Sequence, residues 1–264
     1  METQKKDLEN LARIQSQLAR EDSRDLNYYE RDRAADAAAT RSEASVFSAL
    51  MRNVYIWMTL GLGMTALTAY YVSTRLDWVG AIMSNSALLW GLFIAEIALV
   101  VILSACIHRL SFVVAGVMFA AYAILNGVTL SFIFLAYAQS TLAMTFFATA
   151  GTFGAMSLVG WFSKKDLSGM GRVLYMLLFG LIIGSIVNIF WANSTFDWIL
   201  TYAGVAIFVG LTAYDTQKIK EMMREYGSER NESTMKLALM GSLTLYLDFI
   251  NLFLHLLRIF GRND

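Results

Sequence analysis

The chain has 264 residues, of which 57% are hydrophobic and 16% charged, with 21 basic and 21 acidic side chains. A soluble domain is about 45–50% apolar and about 25% charged, so both figures lean toward a membrane protein. Zero net charge gives no basic footprint for nucleic acid. One cysteine (Cys106) excludes an internal disulfide and a cysteine zinc cluster, and two histidines (His108, His255) cannot make a three-histidine metal centre. There is no proline, so no helix is kinked by one.

Residues 1–52 hold 9 basic and 10 acidic side chains, 19 of the 42 charges in the chain. They read as a charged cytoplasmic arm, without the apolar stretch of a signal peptide. Leu8, Leu11, Ile14 and Leu18 recur at helical spacing, so the arm is either an amphipathic helix or a solvated, partly disordered tail. Residues 53–264 read as an all-α membrane domain. Seven apolar runs match the roughly 20 residues a spanning helix needs: 54–73, 87–107, 112–137, 141–162, 173–193, 196–217 and 235–257. With the N-terminus inside, the inner connectors carry Arg109, then Lys164, Lys165 and Arg172, then Lys218, Lys220, Arg224 and Arg230, whereas the outer ones carry Arg75 alone. Seven spans put the C-terminus outside; Arg258 and Arg262 fit a re-entrant last segment with both termini inside. The pairs Gly180/Gly184 and Gly151/Ala155 are expected at close helix contacts.

Three acids, Glu96, Asp215 and Asp248, lie in or beside the apolar runs, where an ionisable group marks a function by default. On a helix turning 100° per residue, Thr244, Asp248, Asn251, His255, Arg258 and Arg262 fall in a stripe about 80° wide, expected to face a cavity. The alternative is one buried acid satisfied by Asn251 or by backbone. Asp215 either works with Asp248 or caps a short helix beginning there. If the two aspartates approach to hydrogen-bonding distance, both cannot be ionised and they titrate as a unit. Such a pair suits a proton-operated latch, an oxygen site for a hard cation, or a catalytic dyad. Glu96 has no neutralising partner nearby in sequence, and His108 and Arg109 do not share its helix face.

Leu211-Thr212-Ala213-Tyr214-Asp215-Thr216-Gln217-Lys218-Ile219 and Leu245-Tyr246-Leu247-Asp248-Phe249-Ile250-Asn251-Leu252-Phe253 resemble motifs of the Bax inhibitor-1 family. So do Asn126-Gly127-Val128-Thr129-Leu130-Ser131, Lys164-Lys165-Asp166-Leu167-Ser168 and the opening Met51-Arg52-Asn53-Val54-Tyr55-Ile56-Trp57, which is similar to the bacterial branch. The resemblance runs from about residue 50 to the C-terminus. It implies six helices around a central seventh and a pH-sensitive calcium leak in the bacterial inner membrane. The family's two-aspartate sensor corresponds to Asp215 and Asp248, and its second-helix glutamate to Glu96. With Asn251 and His255, Glu96 is expected along the ion pathway, and the three acids are expected to form a weak Ca2+ site with no tightly bound cofactor. Where the family has a basic latch this chain has Ile107, so the candidates are the next two residues, His108 and Arg109. A membrane protease or another membrane protein is an alternative partner, regulated through the arm. An intramembrane aspartyl protease needs Gly-x-Gly-Asp and Pro-Ala-Leu; this chain has Tyr-Leu-Asp at 246–248 and no proline, so it is not expected to be an enzyme. A retinal Schiff base is excluded because residues 237–257 contain no lysine, and a helical zinc protease because His-Glu-x-x-His is absent.

Overall fold

The computed structural model describes residues 2–226 and 231–261; before residue 43 it describes the side chains of Arg13, Arg31, Arg33, Asp36, Ala37, Thr40 and Arg41 alone. The side chains of Leu8, Leu11, Ile14 and Leu18, and residues Arg230 and Arg262, lie outside the described residues. Among the described residues eight helices follow one another: α1 (Glu2–Ser73), α2 (Leu76–Ser84), α3 (Ser86–Cys106), α4 (Phe112–Ala136), α5 (Gln139–Phe162), α6 (Ser168–Trp191), α7 (Ser194–Tyr226) and α8 (Glu232–Phe260). The chain divides into two compact units, Met1–Val46 and Phe47–Asp264. The first is helical from Glu2, and Thr40 donates its hydroxyl to the Asp36 carbonyl at 2.9 Å.

In the second unit, six helices among the described residues, α3 to α8, are long and apolar enough to cross a membrane. The expected first span, 54–73, lies within α1 and is not one of the six. Thr59, Thr65 and Thr68, two glycines and three tyrosines dilute its apolar run. Helix α1 nevertheless buries a stripe of Leu50, Val54, Met58, Thr65, Ala69 and Val72. The connector expected at 74–86 contains α2, and α7 continues well past the expected end at 217. Outward-facing side chains are large and apolar: Leu67, Phe147 and Phe190 are 72%, 73% and 86% exposed. In water such surfaces would be a liability; in a bilayer they face lipid.

Local signals set the helix starts. Asn85 and Ser111 accept the first-turn N–H groups of α3 and α4. Asn231 and Thr234 bond each other's backbone at 3.0 Å in a reciprocal cap at the start of α8. Helix α8 is the most deeply buried of the six, with 61% of its apolar window inside, against 11% for α3 and α6. It packs against α4, α5 and α7, and α7 packs in turn against α5 and α6. At one end of the bundle, Glu232 accepts from the Phe112 N–H at 3.0 Å and Lys236 donates to the Leu110 carbonyl at 3.1 Å, tying the α3–α4 turn to the start of α8. Gln217 bonds both Leu167 and Lys165 of the α5–α6 loop, and Lys220 donates to the Trp161 carbonyl at 2.8 Å.

The expected glycine contacts fall elsewhere. A Cβ at Gly151 or Gly180 would meet nothing within 4 Å, and of these three glycines Gly184 alone lies near another helix, against Leu200. The close approaches use Gly160 on the Ala213 carbonyl, Gly171 on the Tyr214 ring and Gly204 on the His255 ring. Small residues permit close packing on any face, and spacing along one helix does not say which face meets a neighbour.

Candidate functional site: a buried carboxyl pair and a separate glutamate network

Asp215 lies in the interior of α7, which runs on to Tyr226, so it caps no helix. Asp248 lies in the interior of α8. They are 2% and 5% exposed, and their carboxyl groups are within hydrogen-bonding reach of each other. Tyr175 of α6 donates its hydroxyl to Asp215, 3.1 Å from Oδ1 and 3.5 Å from Oδ2. Asp248 Oδ2 is buried and has no donor among the described residues. Two ionised carboxylates are acceptors only, so a bond between them requires a proton on one. Asp215 already accepts from Tyr175, which makes Asp248 the natural carrier of that proton.

The pair opens on a cavity of about 540 Å3 between α6, α7 and α8. Tyr175, Asp215, Thr244, Asp248, Asn251 and His255 supply polar groups to its wall, and the rest of the lining is mostly aliphatic. The four members of the α8 stripe from Thr244 to His255 therefore face one space. Asn251 does not satisfy Asp248: its amide donates to the Leu247 carbonyl at 2.8 Å, and Thr244 bonds the Met240 carbonyl at 3.1 Å. His255 stacks on Phe208 with ring centroids 5.7 Å apart, and its buried Nδ1 has no hydrogen-bond partner among the described residues. Arg258, beyond it, pairs with Asp197 at 3.7 Å.

Glu96 stands apart from this cavity. Its carboxylate accepts from Thr129 and is bonded by Asn126, both on α4. Asn126 Oδ1 accepts from the Tyr246 hydroxyl at 3.2 Å, and that hydroxyl lies 2.7 Å from Thr65 Oγ1 of α1. Among the described residues no three His, Cys, Asp or Glu side chains come together around a possible metal ion. The expected three-acid Ca2+ site is thus not assembled, because Glu96 faces α4 while Asp215 and Asp248 face each other across α7 and α8. His108 and Arg109 are exposed at the end of α3 and bond neither aspartate. The cation whose field reaches Asp215 is Lys218, about one turn along α7, with its ammonium 6.0 Å and 5.9 Å from the ring centroids of Tyr175 and Tyr214.

Residues 47–264 match the protein-family profile described as "Inhibitor of apoptosis-promoting Bax1". The chain belongs to the Bax inhibitor family. It is 48% identical over 211 residues to the Inner membrane protein YbhL of Escherichia coli K12, covering 80% of this chain and 90% of that one. A protein of Borreliella burgdorferi is 39% identical over 231 residues, 87% of this chain and 99% of its own. A membrane protein of Streptococcus pyogenes serotype M3 is 37% identical over 213 residues, 80% of this chain and 91% of its own. With its six long apolar helices, this Bax inhibitor family member is an integral membrane protein.

Sequence reasoning missed Tyr175, Lys218 and the Thr65–Tyr246–Asn126 chain. Asn126 and Tyr246 stand inside quoted motifs, and a mid-span amide or phenol in hydrocarbon needs a partner just as a carboxylate does. Tyr175 carries no such signal, because 40 residues separate it from the aspartate it serves.

Proposed function

We propose that this protein is a proton-gated calcium leak in a bacterial inner membrane. Six spans, residues 54–73 of α1 and helices α3 to α7, would surround the seventh, α8, as their axis, with the N-terminus cytoplasmic. The basic connectors around Arg109, Lys164 and Lys165 support that orientation. The inner-membrane assignment is taken over from the Escherichia coli relative.

The reading rests on the buried Asp215–Asp248 pair beside a cavity. With one shared proton the pair holds α7 against α8. Removing that proton leaves two adjacent carboxylates in a low-dielectric setting, where they repel strongly. Relief comes from displacement of α8 or from a hard cation that bridges the oxygens. Calcium takes 6–8 oxygen ligands, so two carboxylates completed by water would hold it weakly, as a permeation pathway requires.

Helix α8 also links the pair to Glu96. Tyr246 precedes Asp248 by two residues and points about 200° away, where it holds Asn126 of the glutamate network. A shift of α8 that separates the aspartates therefore loosens the bonds that support Glu96, and flux rises as pH rises. The aspartates act in this reading as a sensor and not as a catalytic dyad.

The test is calcium flux into dye-loaded proteoliposomes across a pH series. The wild type should show a pH-dependent flux, and Asp215→Ala with Asp248→Ala should abolish that dependence. Tyr175→Phe should displace the midpoint, since a hydrogen bond to a charged group is worth about 1.5–3 kcal/mol, or roughly one to two pH units. A flux indifferent to pH, or a double variant that keeps the wild-type profile, would overturn the proposal.

A further inference from the structure

A second cavity, of about 610 Å3, lies between the membrane part of α1 and α5 and belongs to neither acidic network. Met51, Met58, Phe153, Leu158, Trp161 and Phe162 make its walls mainly apolar. The polar groups at its base are engaged: Tyr55 bonds Ser157 and Thr216. Its α5 wall runs from Phe153 to Phe162, nine steps of 1.5 Å, or about 14 Å. That is about half of a hydrocarbon core roughly 30 Å thick, the depth of one leaflet. Gly154 leaves room in the wall, since a Cβ there would meet nothing within 4 Å.

One end of this groove is basic. Arg52 is exposed and forms part of the lining. The Arg224 guanidinium lies 5.5 Å from the ring centroid of Phe47, whose ring is 5.8 Å from that of the lining residue Trp161. Lys164 and Lys165, both exposed, follow Phe162 by two and three residues. Asp166, the acid of this loop, is turned onto the Ser168 N–H at 2.8 Å. An apolar channel one leaflet deep, with a tryptophan and cations at its polar end, has the shape and charge of an anionic phospholipid.

We propose that the α1–α5 groove is a binding site for one anionic glycerophospholipid, its acyl chain along Met58 and Phe153 and its phosphate on Arg52. The site depends on the chain spanning a bilayer and is independent of the calcium-leak reading.

The test uses the full-length protein in phosphatidylcholine nanodiscs titrated with bromo-acyl phosphatidylglycerol or bromo-acyl phosphatidylcholine. The readout is the quenching of tryptophan fluorescence that Trp161→Phe removes. The expected result is half-saturation at an approximately fivefold lower mole fraction of phosphatidylglycerol per engaged cation. Arg52→Gln, an exposed change, should remove about that fivefold preference, and Gly154→Leu should fill the groove and abolish Trp161 quenching by both lipids. Equal half-saturation by the two lipids in the wild type would overturn the site, as would a preference unchanged in Arg52→Gln. Displacement of bromo-acyl phosphatidylglycerol by inorganic phosphate would also overturn it, because it would mean that the acyl chain contributes nothing.

Discussion

Replacing Gly127 by alanine tests how α1 is seated against α4. A Cβ at this position would lie 2.6 Å from the Thr65 carbonyl oxygen and 2.7 Å from Thr68 Cβ, where ordinary contact begins at 3.4 Å. The shortfall against the carbonyl is 3.4 − 2.6 = 0.8 Å, and the obstacle is backbone, which no rotamer change removes. Helix α1 must therefore retreat from α4, and Thr65 is the residue that moves. Its hydroxyl donates to the Ala123 carbonyl at 2.9 Å and meets Tyr246 at 2.7 Å, so both bonds lengthen. Overpacking costs about 1–3 kcal/mol, and loosening the two bonds adds about 1 kcal/mol. The better helix propensity of alanine returns about 1 kcal/mol, so the net loss is about 1–3 kcal/mol. Gly151→Ala is the control: its Cβ meets nothing, so it should leave stability unchanged or raise it by up to about 1 kcal/mol. Thermal unfolding of both variants in the same detergent, followed by circular dichroism, should place Gly127→Ala several degrees below the wild type and Gly151→Ala at or above it. A Gly127→Ala midpoint at the wild-type value, or an equal fall in both variants, would refute the contact.

Tyr246→Phe removes the hydroxyl joining α8 to Thr65 and Asn126 in a side chain with no exposed surface, and should cost about 1–2 kcal/mol. Combined with Thr65→Val it should be non-additive by at least about 0.5 kcal/mol in a double-mutant cycle, and additivity would show that the two groups do not share a bond. In the α5–α6 loop, outside the spans, the Ser168 hydroxyl and N–H hold the Asp166 carboxyl below the usual aspartate range. A depressed folded-state value stabilises the fold above the unfolded value and ceases to do so as pH falls through the folded one. Ser168→Ala should therefore raise the Asp166 midpoint toward the ordinary value in a carboxyl NMR titration, and any stability difference from the wild type should vanish at acid pH. An unmoved midpoint would assign the whole effect to the backbone N–H.

The sequence by itself determined the membrane class, the approximate course of six spanning helices and the polar stripe of α8, because hydropathy and a 100° helical step are local properties. The Thr244, Asp248, Asn251 and His255 that the stripe selects do line one cavity. Only the tertiary structure decided partners. Tyr175 meets Asp215 across 40 residues and Thr129 meets Glu96 across 33, while the expected latch, Arg109, lies exposed and the cation whose field reaches Asp215 is Lys218 of α7 itself. It also divided the three acids between two networks and moved the close glycine contacts from Gly151 and Gly180 to Gly127, Gly160 and Gly171. The physical reason is the solvent. In water an apolar stripe marks the buried face, but in a bilayer both faces of a helix are apolar, so hydropathy does not say which face meets lipid and which meets another helix. Within those spans, buried polar atoms that need partners fixed the packing, and their partners are set by the fold.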